Sequence, residues 1–68
     1  MSVILEHAEL CGRILRELTH EEWCDAIVAG TAASKAAYAA EAKWGQKIEV
    51  SLKATNEAYR EALRRKEK

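Results

Sequence analysis

The chain has 68 residues, a formal net charge of zero, three Gly and no Pro. So short a chain buries little apolar surface, and it tends to depend on a metal, disulfides or a partner subunit. Its abundance of Ala, Glu, Lys, Leu and Arg is typical of an all-α protein. The sequence has neither an apolar run that could cross a bilayer nor a basic segment before its first apolar residues. We therefore expect a cytoplasmic protein with no membrane contact.

The charges differ between the two halves of the chain. Residues 1 to 34 carry two Arg against six acidic residues, and residues 35 to 68 carry nine Lys or Arg against five Glu. This polarity favours antiparallel or head-to-tail packing of helices. Positive charge is concentrated only in the tail, R-R-K-E-K, so nucleic acid is not a favoured partner.

The first predicted helix spans about residues 3 to 18 and begins after Ser2, whose hydroxyl can cap the free amides of the first turn. Its apolar positions alternate three-residue and four-residue steps. This seam consists of Ile4, His7, Cys11, Ile14 and Leu18. The one His and the one Cys of this helix therefore lie within its apolar stripe.

Thr19 begins the sequence T-H-E-E, a capping box in which Thr19 and Glu22 bond each other's backbone amides. A second helix is predicted from His20 to about residue 65, which gives a helical hairpin with a short first helix and a long second one. The second helix would be roughly 70 Å long, and the part that the first helix cannot cover would need a partner. The alternative is a three-helix bundle with a break at Gly30 or Gly45.

Residues 26 to 42 contain nine Ala. Small side chains permit close approach of another helix, although helix propensity alone also explains the Ala content. We expect a homodimer or a higher oligomer. The predicted interface residues are the large side chains of this segment and its flanks: Trp23, Ile27, Tyr38, Trp44, Ile48, Leu52 and Tyr59. For the two Trp residues, a second core face is the alternative.

Every His and Cys of the chain belongs to one of two H-x-x-x-C phrases, His7 with Cys11 and His20 with Cys24. Residues four apart share a helix face, and thiolate and imidazole are zinc ligands, so each phrase is half of a Cys2His2 site. In a straight hairpin the two pairs would be offset by about 10 Å, so one ion would need a crossed helix or a second subunit. The favoured alternative has no cofactor, and the four residues only fill the seams.

An enzyme is not expected. No nucleophile has an identifiable base and orienting group, and there is no Gly-rich phosphate loop. We predict a protein-protein interaction module, a self-associating adaptor or an inhibitor-like protein that binds another protein. The alternatives are a small helix-turn-helix DNA-binding protein and a zinc-stabilised structural module.

Residues 26 to 38, A-I-V-A-G-T-A-A-S-K-A-A-Y, resemble the helix-turn-helix of phage terminase small subunits. In that family an A-I-x-A-G phrase ends one helix, and a short Ser-containing turn starts the recognition helix. The matching positions are Ala26, Ile27, Ala29, Gly30, Lys35, Ala37 and Tyr38. The resemblance implies DNA-end binding and oligomeric rings. The composition is also similar to that of small all-helical phage proteins.

Overall fold

The computed structural model describes residues 2–67, which form three helices. Helix α1 is Val3–Glu17, α2 is His20–Ala40 and α3 is Lys47–Glu67, with a short 3₁₀ turn, Trp44–Gln46, before α3. No strand occurs among these residues, and the all-α prediction is confirmed. Within the same range, no helix combines the length and the apolar character needed to span a membrane.

The first two helices begin at the caps that the sequence predicts. The Ser2 hydroxyl accepts a hydrogen bond from the Ile4 amide at 3.2 Å. The Glu22 amide donates to the Thr19 hydroxyl at 3.3 Å, and the Thr19 amide donates to the Glu22 carboxylate at 3.0 Å. This capping box fixes the start of α2 with only Leu18 and Thr19 between the two helices, so the chain turns a sharp corner there.

The second helix is shorter than the predicted span of residues 20 to 65. Helix α2 continues through Gly30 and ends at Ala40, after which Glu41 and Lys43 are extended. The break therefore lies in residues 41 to 46, which include Gly45, and the structure has the three helices of the alternative prediction. A continuous helix would leave its second half without a partner in the chain, whereas the reversal packs α3 against both other helices.

Helix α3 runs antiparallel to α2, and the two pack tightly at Gly30. The Thr55 hydroxyl donates to the Gly30 carbonyl at 3.3 Å. A Cβ atom built on Gly30 would lie 2.7 Å from the Tyr59 ring, so only Gly permits this approach. Further along, the Lys66 ammonium binds the Glu22 carboxylate at 3.0 Å. These contacts align the start of α2 with the end of α3.

Helix α1 packs on α3 in the parallel direction. The Asn56 amide donates to the Val3 carbonyl at 3.4 Å, and Arg13 pairs with Glu67 at 3.5 Å. Helices α1 and α2 contact each other little, so α3 is the central helix of the bundle. Because α1 begins level with Asn56, it flanks only the second half of α3.

The core is small and lies where the three helices meet. It consists of Leu10, Ile14, Ala26, Tyr59 and Leu63, with Cys11, Leu18, Trp23 and Ala62 packed against it. The molecule exposes 4955 Å² of surface. A compact chain of this mass is expected to expose about 4300 Å². The excess agrees with the elongated shape of the molecule, which measures 36 × 23 × 18 Å.

Candidate interaction site

An open groove lies between the N-terminal end of α1 and the first turns of α3. Its volume is about 450 Å³, and it is lined by Ser2, Val3, Ile4, Gly45, Ile48, Glu49 and Leu52. The Ile4 and Ile48 side chains are 67% and 69% exposed. Isoleucine is usually buried, so two exposed Ile side chains beside one groove mark an apolar surface.

The groove continues the face of α3 that forms the core. Ile48 and Leu52 precede Tyr59 by eleven and seven residues, spacings that place all three on one side of a helix. Tyr59 is covered from both sides, by the His7 ring of α1 and by Gly30 of α2. Helix α1 does not extend to Ile48, so the chain leaves this part of the apolar face open.

Two aromatic side chains lie at the same end of the molecule. Trp44 is 79% exposed and Tyr38 is 38% exposed. The Lys47 ammonium is 4.8 Å from the centre of the Tyr38 ring and 6.0 Å from that of Trp44, so one cation contacts both rings. We call Ile4, Tyr38, Trp44, Ile48 and Leu52 the end surface.

The structure places four of the seven predicted interface residues at the end surface: Tyr38, Trp44, Ile48 and Leu52. Tyr59 is instead buried in the core, and burial raises the pKa of its hydroxyl, with the nearby Cys11 adding to the effect. Trp23 is half-buried against the core, and Ile27 is half-buried on α2. Sequence reasoning missed Ile4, because only tertiary packing brings α1 beside the start of α3.

The first His-Cys pair belongs to the contact between α1 and α3. Asn56 is 1% exposed, and because its amide nitrogen donates to Val3, its oxygen faces the His7 ring. His7 Nδ1 donates to that oxygen at 3.0 Å, so the lone pair of a neutral ring lies on Nε2. Cys11 Sγ lies 3.5 Å from Nε2. A chain of polar contacts thus joins the two helices through Asn56, a residue that sequence reasoning missed.

The second pair, His20 and Cys24, has a different environment. His20 is exposed, its Nε2 lies 3.7 Å from Cys24 Sγ, and its ring stacks on Trp23 with 5.5 Å between centroids. Among residues 2–67, no three His, Cys, Asp or Glu side chains are placed to share one metal ion. The four candidate zinc ligands therefore form two separate pairs.

The segment that resembles a helix-turn-helix lies inside α2. The resemblance implies a turn after Gly30, whereas α2 is continuous across residues 26 to 38, and Gly30 packs on Tyr59. Lys35, on the candidate recognition helix, is exposed. Comparisons with protein-family models, curated proteins and solved structures found no match. The resemblance to terminase small subunits stays a prediction.

Proposed function

We propose that the protein is a non-enzymatic protein-interaction module that self-associates through the end surface. The observation that carries this proposal is the exposure of Ile48, 69%, in the lining of a groove of about 450 Å³, and of Trp44, 79%, next to the lining residue Gly45. Burying such side chains contributes about 1.5–3 kcal/mol each. Exposed Trp side chains that flank an apolar recess are typical of the residues that dominate binding energy.

A second copy of the chain is the partner that fits this surface. A two-fold contact requires a self-complementary patch, and the end surface has both a projecting ring, Trp44, and a recess beside it. Each Trp44 would enter the groove of the other copy. The patch also carries both signs of charge, because Glu49 lines the groove and Lys47 contacts Trp44. A two-fold axis would bring Lys47 of one copy towards Glu49 of the other.

The polar contacts that join Cys11, His7 and Asn56 support a non-enzymatic role, although the three side chains are of types found in active sites. Cys11, His7 and Asn56 follow the order of nucleophile, base and orienting group. Cys11, however, lies in the middle of α1, where backbone amides bond to helix carbonyls. Those amides are not free to stabilise an oxyanion, which is the largest contribution in most acyl-transfer enzymes. We attribute these polar contacts to the stability of the α1–α3 contact.

Variants of the end surface test the proposal. Trp44→Ala and Ile48→Asp are each expected to convert a dimer into a monomer, measured by light scattering during size-exclusion chromatography with a chelator present. Val28→Asp is the matched control, because Val28 is 68% exposed and lies on the opposite side of α2 from the core. A wild-type monomer would contradict the proposal, as would a dimer that Val28→Asp disrupts as strongly as Ile48→Asp.

A further inference from the structure

The second His-Cys pair is the one part of the repeated phrase that the fold does not use. His7 and Cys11 are tied to the buried Asn56, whereas on α2 His20 is exposed and Cys24 is half-buried beside it. The two side chains contact each other, with 3.7 Å between His20 Nε2 and Cys24 Sγ. Stacking on Trp23 orients the His20 ring. The position of this pair therefore needs an explanation other than core packing.

The spacing of the two atoms matches that of two ligands on one zinc ion. Zinc binds thiolate at about 2.3 Å and imidazole at about 2.0–2.1 Å, so at the tetrahedral angle the S and N atoms lie about 3.5 Å apart. His20 and Cys24 come within a few tenths of an ångström of this value without a backbone shift. Thiolate and imidazole together select zinc over magnesium or calcium, which prefer oxygen.

We propose that His20 and Cys24 form half of a zinc site that a second copy of the chain completes as Cys2His2. A structural zinc site needs four protein ligands, and no third candidate side chain joins this pair within residues 2–67. A two-fold axis through the ion supplies the other two. On binding, each Cys24 thiol loses its proton to solvent, and the thiolate bonds to the metal.

The surroundings of the pair suit a contact between two copies. Val28 follows Cys24 by one helical turn and is 68% exposed, and Leu15 is 64% exposed. A shallow recess of about 320 Å³ lies beside the pair, lined by Leu15, Leu18, His20 and Trp23. The exposed carboxylate of Asp25 adds negative charge that attracts a cation. Apolar side chains thus flank the two ligands, as at the centre of a protein interface.

This site is independent of the end surface. His20 and Tyr38 lie eighteen residues apart on α2, a distance of about 27 Å along the helix. Zinc-dependent pairing and pairing through Trp44 therefore use different ends of the molecule. Zinc-dependent pairing is measured separately from pairing through Trp44 when the mass of one variant is compared with and without metal.

The experiment uses the full chain with Ile48→Asp, kept reduced by a phosphine, and measures molecular mass in chelator and after zinc addition. We expect zinc to double the mass, with one ion per two chains. Cobalt in place of zinc should give the intense visible absorption of a tetrahedral thiolate site. His20→Ala and Cys24→Ser should each abolish both effects, and Cys11→Ser is the matched control that should retain them.

Three results would overturn the proposal. One is a mass that zinc does not change, and another is one ion bound per chain without pairing. The third is a Cys11→Ser variant that no longer pairs with zinc although its circular dichroism spectrum in chelator is the same as that of the parent chain. The metal would then lie at His7 and Cys11. Since every comparison is made within one variant, a failure of the end surface would not alter the outcome.

Discussion

Gly30 is a residue at which α2 and α3 pack tightly. A Cβ atom there would lie 2.7 Å from Tyr59 Cε1 and 3.2 Å from Thr55 Cγ2, and the buried Tyr59 ring has little room to move. Gly30→Ala should lower the free energy of unfolding by about 1–2 kcal/mol net, because overpacking exceeds the gain in helix propensity. Urea denaturation measures this change.

Gly12 is the matched control for Gly30. It also lies within a helix, but a Cβ atom there would meet nothing within 4 Å. Gly12→Ala should therefore raise the free energy of unfolding by up to about 1 kcal/mol. Equal changes in the two variants would show that the close approach at Gly30 does not exist.

Glu22 makes the start of α2 sensitive to acid. The hydrogen bond from the Thr19 amide, followed by the Lys66 ammonium, lowers the pKa of Glu22 below its ordinary value of 4.5. A lowered pKa in the folded chain gives a stabilisation that is complete above the ordinary pKa and is lost as pH falls through the folded value. In Glu22→Gln the amide can still cap Thr19, but the charge is removed.

The prediction for Glu22→Gln is a loss of stability near neutral pH that becomes smaller at about pH 3, below the ordinary pKa of a Glu carboxyl, because protonation then removes the charge from the wild type. Urea denaturation of both proteins at the two pH values checks it. A difference in unfolding free energy that stays the same at both pH values would show that the Glu22 charge is not responsible.

Helix α1 is the element with the fewest attachments to the rest of the bundle. It packs almost entirely on α3, and the buried Asn56 binds both His7 and the Val3 carbonyl. Asn56→Ala leaves the part-buried His7 donor without its partner and removes the second hydrogen bond to the Val3 carbonyl, at a cost of about 1–3 kcal/mol. The loss should fall mainly on α1, because the hairpin of α2 and α3 keeps its own contacts.

Amide hydrogen exchange distinguishes this local effect from general destabilisation. In Asn56→Ala, exchange should accelerate in α1 more than in α2 and α3. Glu57→Ala is the control, because Glu57 is the neighbouring residue but is exposed. Equal acceleration in all three helices would contradict the role of Asn56 as the link between α1 and α3.

The helix boundaries differ in how well the sequence predicted them. The starts of α1 and α2 were predictable because Ser2 and Thr19 act on amides two or three residues away. The end of α2 was not, because residues 41 to 43 contain no helix breaker. A Cβ atom on Gly45 would meet nothing within 4 Å, and its φ is not positive. Tertiary packing of α3, rather than a local signal, determines where the chain reverses.

The candidate site was predictable only in part, for the same reason. The sequence identified Trp44, Ile48 and Leu52 as large apolar residues of a predicted interface. It did not identify Ile4 or Asn56, whose partners lie far along the chain. The two His-Cys phrases also differ in their surroundings, since His7 of the first pair binds Asn56 whereas His20 of the second pair is exposed.

At the scale of the whole molecule, the offset between α1 and α3 explains the open surface. Helix α1 begins beside Asn56, nine residues after the first residue of α3, so the parallel pair leaves the first turns of α3 uncovered. Ile48, Leu52 and Trp44 occupy that uncovered region. A small core and an exposed apolar end are together typical of a chain that completes its burial with a second copy.

Sedimentation equilibrium of the wild-type chain in chelator tests this central claim most directly. The self-association that we propose predicts a mass that rises with concentration towards twice the 7.6 kDa of one chain. Ile48→Asp should remain at the monomer mass over the same range. At about 1 mM, only association weaker than about 4 kcal/mol goes undetected. A wild-type mass of 7.6 kDa at every concentration up to that value would contradict the proposed self-association.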